Sequence, residues 1–150
     1  MYTPKYYAVE DRSKLLEFMQ NNSFGILFSH TGDEPMASHL PFMIDESGGE
    51  QGLILGHMAK ANRQWRYADG QQVMVVFHGP HTYVSPTWYQ EDNVVPTWNY
   101  VAVHLTGTLE ALPADQMRAM LDRQSADFEA RLLPKRPWTT DKMTPEVLDR

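Results

Sequence analysis

The residues best suited to chemistry fall in four short stretches between Ser38 and Tyr100. Segment 57–66, HMAKANRQWR, carries Lys60, Arg63 and Arg66, the only cations between Lys14 and Arg118. An apolar run ends at His57 and a helix-like stretch begins within a few residues. A helix start leaves backbone N–H groups without intrahelical partners, and beside a lysine they form an anion site. A phosphate near Lys60, Ala61 and Asn62 would gain charge-assisted hydrogen bonds. The plainer alternative is a solvated basic face on a short helix. Segment 38–42, SHLPF, sets His39 where it could meet the polar edge of a ligand, or where it is simply a half-buried strand histidine. In HGPH, His78 and His81 flank Gly79-Pro80. No third ligand is fixed by spacing, so hydrogen bonding to a ligand or turn is expected of His81, and no metal site is expected. In VPTWNY, Trp98, Asn99 and Tyr100 are large and polar-tipped, as interface anchors are. Strand initiation after a loop would explain them equally.

These stretches surround an aromatic region, 77–104, that holds no lysine or arginine. None occurs from Tyr67 to Met117. Rings, hydroxyls, amides and imidazoles without fixed cations suit a flat, partly polar organic ligand or a subunit interface, and do not suit a phosphate groove. A β-rich core with aromatic loops is the competing explanation.

The elements that must position them follow from periodicity and breakers. An extended lead-in covers 4–9. Residues 10–21 read as a helix with Leu15, Leu16, Phe18 and Met19 as its apolar stripe and Glu10 and Asp11 at its positive end. Strands are expected at 24–29, 36–44, 53–57 and 73–78, with a turn at Thr31-Gly32-Asp33 and Pro41 at an edge or bulge. A helix is expected over 59–68 and a tight turn at Gly79-Pro80. A short strand through Tyr83-Val84, a loop, and a period-two strand over 100–112 follow. A helix over 114–132 starts after Pro113, and a proline-broken, charged tail closes the chain. About six strands, mostly hairpin-linked, with helices at the margins imply a mainly β protein, a small antiparallel barrel rather than a βαβ sheet.

A length of 150 residues suits one domain with a real core. The chain has no cysteine, which excludes disulfides and thiolate metal sites and is compatible with the cytoplasm. There is no membrane-length apolar run and no signal-peptide core, so a soluble, unexported protein is expected. The 13 basic and 19 acidic residues give a net charge of −6, which weighs against nucleic-acid binding. Nine methionines suit core filling. No dinucleotide, P-loop, zinc-protease or serine-hydrolase motif occurs.

GHMAKANRQW, GPHTYVSPTWY and VPTWNYVAVH, with MYTPKYY and NSFGILFS, resemble the PaiB family over nearly the whole chain, in order and spacing. These are FMN-binding split-barrel proteins often labelled negative transcriptional regulators. The resemblance implies a split β-barrel homodimer like pyridoxamine phosphate oxidases, with FMN between subunits. It implies that a strand holding Ser38, His39, Leu40 and Pro41 lies along the flavin. It also implies that the junction with His57, Met58, Lys60 and Asn62 holds the phosphate, with Arg63 adjacent. Family members run longer, so their last C-terminal segment is expected to be absent from residues 1–150.

The expected function is therefore a dimeric, cytoplasmic FMN-binding protein and negative transcriptional regulator. One alternative is a flavin-dependent oxidoreductase acting on a small substrate over the Trp88/Trp98 loop. Another is a haem-handling split barrel using His57, His78, His81 or His104. Direct DNA binding is not expected, since no helix-turn-helix pattern is present.

Overall fold

The computed structural model describes residues 1–30, 32–89 and 93–144. The expected turn residue Thr31, part of the 85–96 loop and the end of the tail lie outside the described residues. The chain forms two compact units, Met1–Glu110 and Ala111–Arg150.

The first unit is a five-stranded antiparallel sheet with helices, in the order β3-β2-β1-β4-β5. Its strands are β1 (Phe24–His30), β2 (Pro35–Asp45), β3 (Leu53–Gly56), β4 (Gln72–Val84) and β5 (Thr97–Thr108). Helix α1 (Arg12–Asn21) precedes the sheet and α2 (Gln64–Ala68) joins β3 to β4. A 3-10 turn, Lys5–Tyr7, interrupts the lead-in expected to be extended. The sheet is open, with β3 and β5 at its edges.

Five strands replace the expected six because Gly79-Pro80 is not a hairpin turn. β4 runs straight through it and keeps pairing with β5, with a register shift between His78 and His81. Proline cannot donate to a ladder, so the chain bulges there instead of turning back. Gly79 is required by a close approach. A Cβ on it would lie 2.7 Å from the Phe18 ring of α1.

Antiparallel pairing divides the sheet into two faces. Leu27, Leu40, Phe42, Val75, Phe77 and Val103 form the buried core with Met19 of α1, while Leu15, Leu16 and Phe18 pack against it. Phe42 and Phe77 meet edge to face with centroids 5.7 Å apart. Asp11 caps α1 rather than forming its first turn. Its carboxylate accepts from the Ser13 hydroxyl at 2.6 Å and the Ser13 N–H at 3.0 Å. The Ser13 hydroxyl, with the Lys14 and Ser13 N–H groups, holds the Asp11 carboxyl below its ordinary range.

Pro41 sits inside β2 without breaking the sheet. Phe42 donates its N–H toward β1, to the Ser23 carbonyl at 2.8 Å. Alternation turns the nitrogen of Pro41 away from β1. β3 pairs only with residues Phe42 to Asp45, so Pro41 lies where β2 becomes an open edge.

The second unit holds α3 (Ala114–Ala130), preceded by Pro113. Met120 and Gln124 are its buried residues, whereas Met117 and Leu132 of the expected apolar face are exposed. Glu129 accepts from the Trp138 N–H and from Lys135 Nζ, and these bonds hold its carboxyl below the usual range. Among the described residues no helix is long and apolar enough to cross a membrane.

Candidate functional site

Ser38, His39, Leu40 and Pro41 lie along the open edge of β2 and His57, Met58, Lys60, Asn62 and Arg63 in the 57–63 connection, whereas His81 is on β4 and Trp98, Asn99 and Tyr100 are on β5. From Pro35 to Pro41, β2 pairs with β1 on one side only. Because Phe42 donates toward β1, the N–H and C=O groups of Ala37 and His39 are directed to the uncovered side. That edge offers a row of backbone donors and acceptors to a flat polar ligand.

The 57–63 connection is tied to this edge by one side-chain bond. Asn62 Nδ2 donates to Ser38 Oγ at 2.8 Å. Asn62 Oδ1 also accepts from the Gln64 N–H at 3.0 Å, so the amide both starts α2 and holds the turn to β2. The Asn62 N–H closes the turn on the Ala59 carbonyl at 2.8 Å.

The helix expected over 59–68 is therefore only Gln64–Ala68. The Asn62 side chain claims the N–H that an earlier helix would have used internally. Lys60 lies in the turn ahead of the helix, exposed, with its carbonyl accepting from Trp65 Nε1 at 3.3 Å. Arg63 is exposed immediately before the first helical residue. Arg66 lies over the Trp65 ring, 5.0 Å from its centroid. An anion here would meet the side chains of Lys60 and Arg63 rather than a helix terminus.

Gln64 is the residue sequence reasoning missed. It is fully buried. Its Nε2 lies 3.1 Å from the Leu27 carbonyl, 2.9 Å from Ser29 Oγ and 3.4 Å from the Met36 carbonyl. This bracket locks α2 to the β1–β2 hairpin, while Gln64 Oε1 is buried without a partner. A glutamine flanked by Arg63 and Arg66 gives no sequence signal of burial.

The candidate residues do not all share one face. Ser38, Leu40, Met58 and Asn62 belong to the core side, where Leu40 is buried and Met58 packs against the core. His57 is half-buried just beyond β3. His39 and Pro41 lie on the opposite face, where the His39 ring sits 6.3 Å from Phe24. His81 shares that outer face with Trp98 and Tyr83. The His81–Trp98 and Tyr83–Trp98 centroids are 6.3 and 5.8 Å apart. Trp98 and Tyr100 are also outward, with 60% and 53% of their surface exposed, too much for a single chain's core. Asn99 pairs with Thr82 on the other face and is separated from both. Among the described residues no three His, Asp or Glu side chains come together as a metal would require.

The donor set fits FMN. Lys60 and Arg63 suit a phosphate, the free edge at Ala37 and His39 suits the polar rim of a flat ring system, and the exposed aromatics suit its faces.

Residues 1–150 match the protein family described as "Putative FMN-binding domain". The chain is 37% identical over 150 residues to "Protease synthase and sporulation protein PAI 2" of Bacillus subtilis, covering 99% of this chain and 70% of that protein. It is 27% identical over 139 residues to an uncharacterized protein of Saccharomyces cerevisiae, covering 77% of this chain and 82% of that one. An uncharacterized protein of Aspergillus fumigatus is 30% identical over 167 residues, covering 85% and 64%.

Proposed function

The chain belongs to the family of FMN-binding domains, and from that premise we propose that residues 1–150 act as one FMN-binding domain of a homodimeric, PaiB-type flavoprotein. In this reading two copies associate in the split-barrel manner of pyridoxamine phosphate oxidases. The phosphate is held by Lys60, Arg63 and the turn fixed by Asn62. The ring system lies along the β2 edge at Ser38, His39, Leu40 and Pro41, with His57 and Met58 flanking the turn and His81 nearby. Trp98 and Tyr100 stand at the subunit interface, with Asn99 at its border. The observation that carries the reading is the open β2 edge clasped to the Lys60 turn by the Asn62–Ser38 bond, in a chain that matches the FMN-binding family throughout.

Bound FMN supplies reversible one- and two-electron chemistry, which the protein need only position and tune. Negative transcriptional regulation by this chain would then be indirect, through redox or metabolite state, in the cytoplasm. The name of the Bacillus relative, "Protease synthase and sporulation protein PAI 2", is in keeping with a regulatory role. A second reading, a flavin-dependent oxidoreductase for a small substrate, is favoured by the exposed His81–Tyr83–Trp98 cluster, which offers a stacking surface.

The test is the absorption spectrum of the purified chain after incubation with FMN and exhaustive dialysis. Retention of a two-band flavin spectrum is expected. A protein that retains no flavin, or that instead acquires a Soret band with haem, overturns the reading.

A further inference from the structure

β5 is a long edge strand. It pairs with β4 along Thr97–Thr108 and, among the described residues, with no strand on its other side. The direction of its backbone groups follows from Leu109, just beyond it. Leu109 donates its N–H to the Gln71 carbonyl at 3.0 Å and accepts from the Gly70 N–H at 2.8 Å, both on the β4 side. Backbone groups alternate sides along a strand. Leu105, Val103 and Val101 therefore bond toward β4, and Trp98, Tyr100, Ala102, His104 and Thr106 present N–H and C=O groups to the open side. The bulge does not disturb this order, because its extra residue belongs to β4, where Gly79 and Pro80 stand opposite Val101.

The other free edges of the sheet are blunted. The uncovered stretch of β2 directs Pro35, Ala37, His39 and Pro41 outward, and the two prolines have no N–H to offer. β3 is only four residues long. Proline, charge and shortness are the usual protections of an edge. β5 has none of them, with 12 residues and no proline, lysine, arginine, aspartate or glutamate. The surface beside its edge is apolar on both faces. Trp98 and Tyr100 stand exposed on one, and Val101 keeps 49% of its surface exposed on the other. The Tyr100 hydroxyl donates to Met1 Sδ at 3.5 Å, a contact at the tip of the side chain that leaves the edge backbone open.

We propose that β5 of one copy pairs with β5 of a second copy, antiparallel about a two-fold axis at Ala102, so that the two sheets join into one. The proposal rests on the homodimer reading above and names the contact that builds it. The occupant is a second copy because β5 meets its own requirements as a partner: an open side, apolar side chains on both faces, and hydrogen-bonding groups in the matching phase. Val101-Ala102-Val103 reads the same in both directions. Ala102 then faces Ala102 of the partner subunit, Tyr100 faces the partner's His104, and Trp98 faces the partner's Thr106. Every residue so matched directs its backbone groups across the junction, so each matched pair exchanges two N–H···O=C bonds. On the other face Val101 packs beside the partner's Val103, which covers its exposed surface. The contact is isologous and uses up the β5 edge of both copies, so it closes at a dimer.

Sedimentation of the purified chain fixes the dimer dissociation constant, and amide hydrogen exchange read by NMR above and below that concentration tests the contact. In the dimer the N–H groups of Tyr100, Ala102 and His104 are expected to be protected, and to lose that protection on dilution. Those of Val101, Val103 and Leu105, bonded to β4, are expected to stay protected at both concentrations. Ala102→Pro removes one edge donor from each copy without touching the β4 ladder. It is expected to raise the dimer dissociation constant by at least about 30-fold, for the two hydrogen bonds lost, with the circular dichroism of the parent. A dimer whose Tyr100, Ala102 and His104 amides exchange as fast as in the monomer overturns the proposal and leaves the homodimer reading standing, as does a folded Ala102→Pro dimer as tight as the parent's. Protection of those amides that is independent of concentration means that the edge is covered within one chain, and also overturns it. A monomer at every concentration overturns both.

Discussion

Lys60 and Gln64 lie four positions apart and have opposite fates. Lys60 stands out in the sequence because it breaks a long cation-free run, and it is our proposed anion contact, but its place in a turn ahead of the helix, rather than at a helix start, was not legible. That place depended on where Asn62 would spend its amide, and the Asn62–Gln64 and Asn62–Ser38 bonds settle it only once β2 is folded alongside. Replacing Lys60 with Ala is expected to weaken FMN binding by about 1.5–3 kcal/mol, the usual contribution of a hydrogen bond to a charged group. That is roughly a 10- to 150-fold rise in dissociation constant by titration, and an unchanged value would remove Lys60 from the site. Gln64 makes a different case. Gln64→Ala deletes the bracket to Leu27, Ser29 and Met36 and leaves a hole in a fully buried position. A loss of about 2–4 kcal/mol is expected from urea denaturation, with unfolding monitored by tryptophan fluorescence.

At the scale of elements, most strands were readable from their apolar alternation, and α1 from its stripe. The missed features were those decided by pairing partners. Gly79-Pro80 carries turn chemistry, yet the aromatic residues on either side keep pairing with β5, so the ladder absorbs the two residues as a bulge. Pro41 is tolerated because β3 ends at its pairing with Phe42, which no local pattern could announce. The β1–β2–β3 junction is equally non-local. A Cβ on Gly56 would lie 2.9 Å from Phe42 Cδ1, and one on Gly25 would lie 3.2 Å from Phe42 Cδ2. The Phe42 ring is thus bounded on both edges and cannot swing away from an added methyl at either position. Gly56→Ala is expected to cost about 1–3 kcal/mol, the usual price of overpacking, seen as a lower melting temperature. Because residue 57 begins the connection to Lys60, the same variant should also weaken FMN binding. A melting temperature and affinity both equal to the parent's would mean the ring has room that the packing does not offer.

At the scale of the whole molecule, charge is the property most legible in the sequence, and the fold sharpens it. The net charge of −6 becomes −12 for a dimer by simple doubling. The strands of the outer face contribute histidine, aromatic and aliphatic side chains but no fixed cation. In the proposed reading Lys60 and Arg63, the exposed cations of the β3–α2 connection, hold the flavin phosphate. Arg66 is stacked on Trp65. Nucleic-acid affinity depends on neutralising phosphates with clustered Lys and Arg, and a recognition helix must present several at once. Helix α2, at five residues, is too short to fill a major groove. The FMN-loaded protein is therefore expected to show no sequence-specific complex with genomic fragments in a mobility-shift assay at about 0.15 M salt, where exposed charges more than about 8 Å apart are largely screened. A nanomolar, sequence-dependent shift would reverse the indirect reading of regulation. It would require a cationic surface that neither the β2 edge nor the outer face of the sheet supplies.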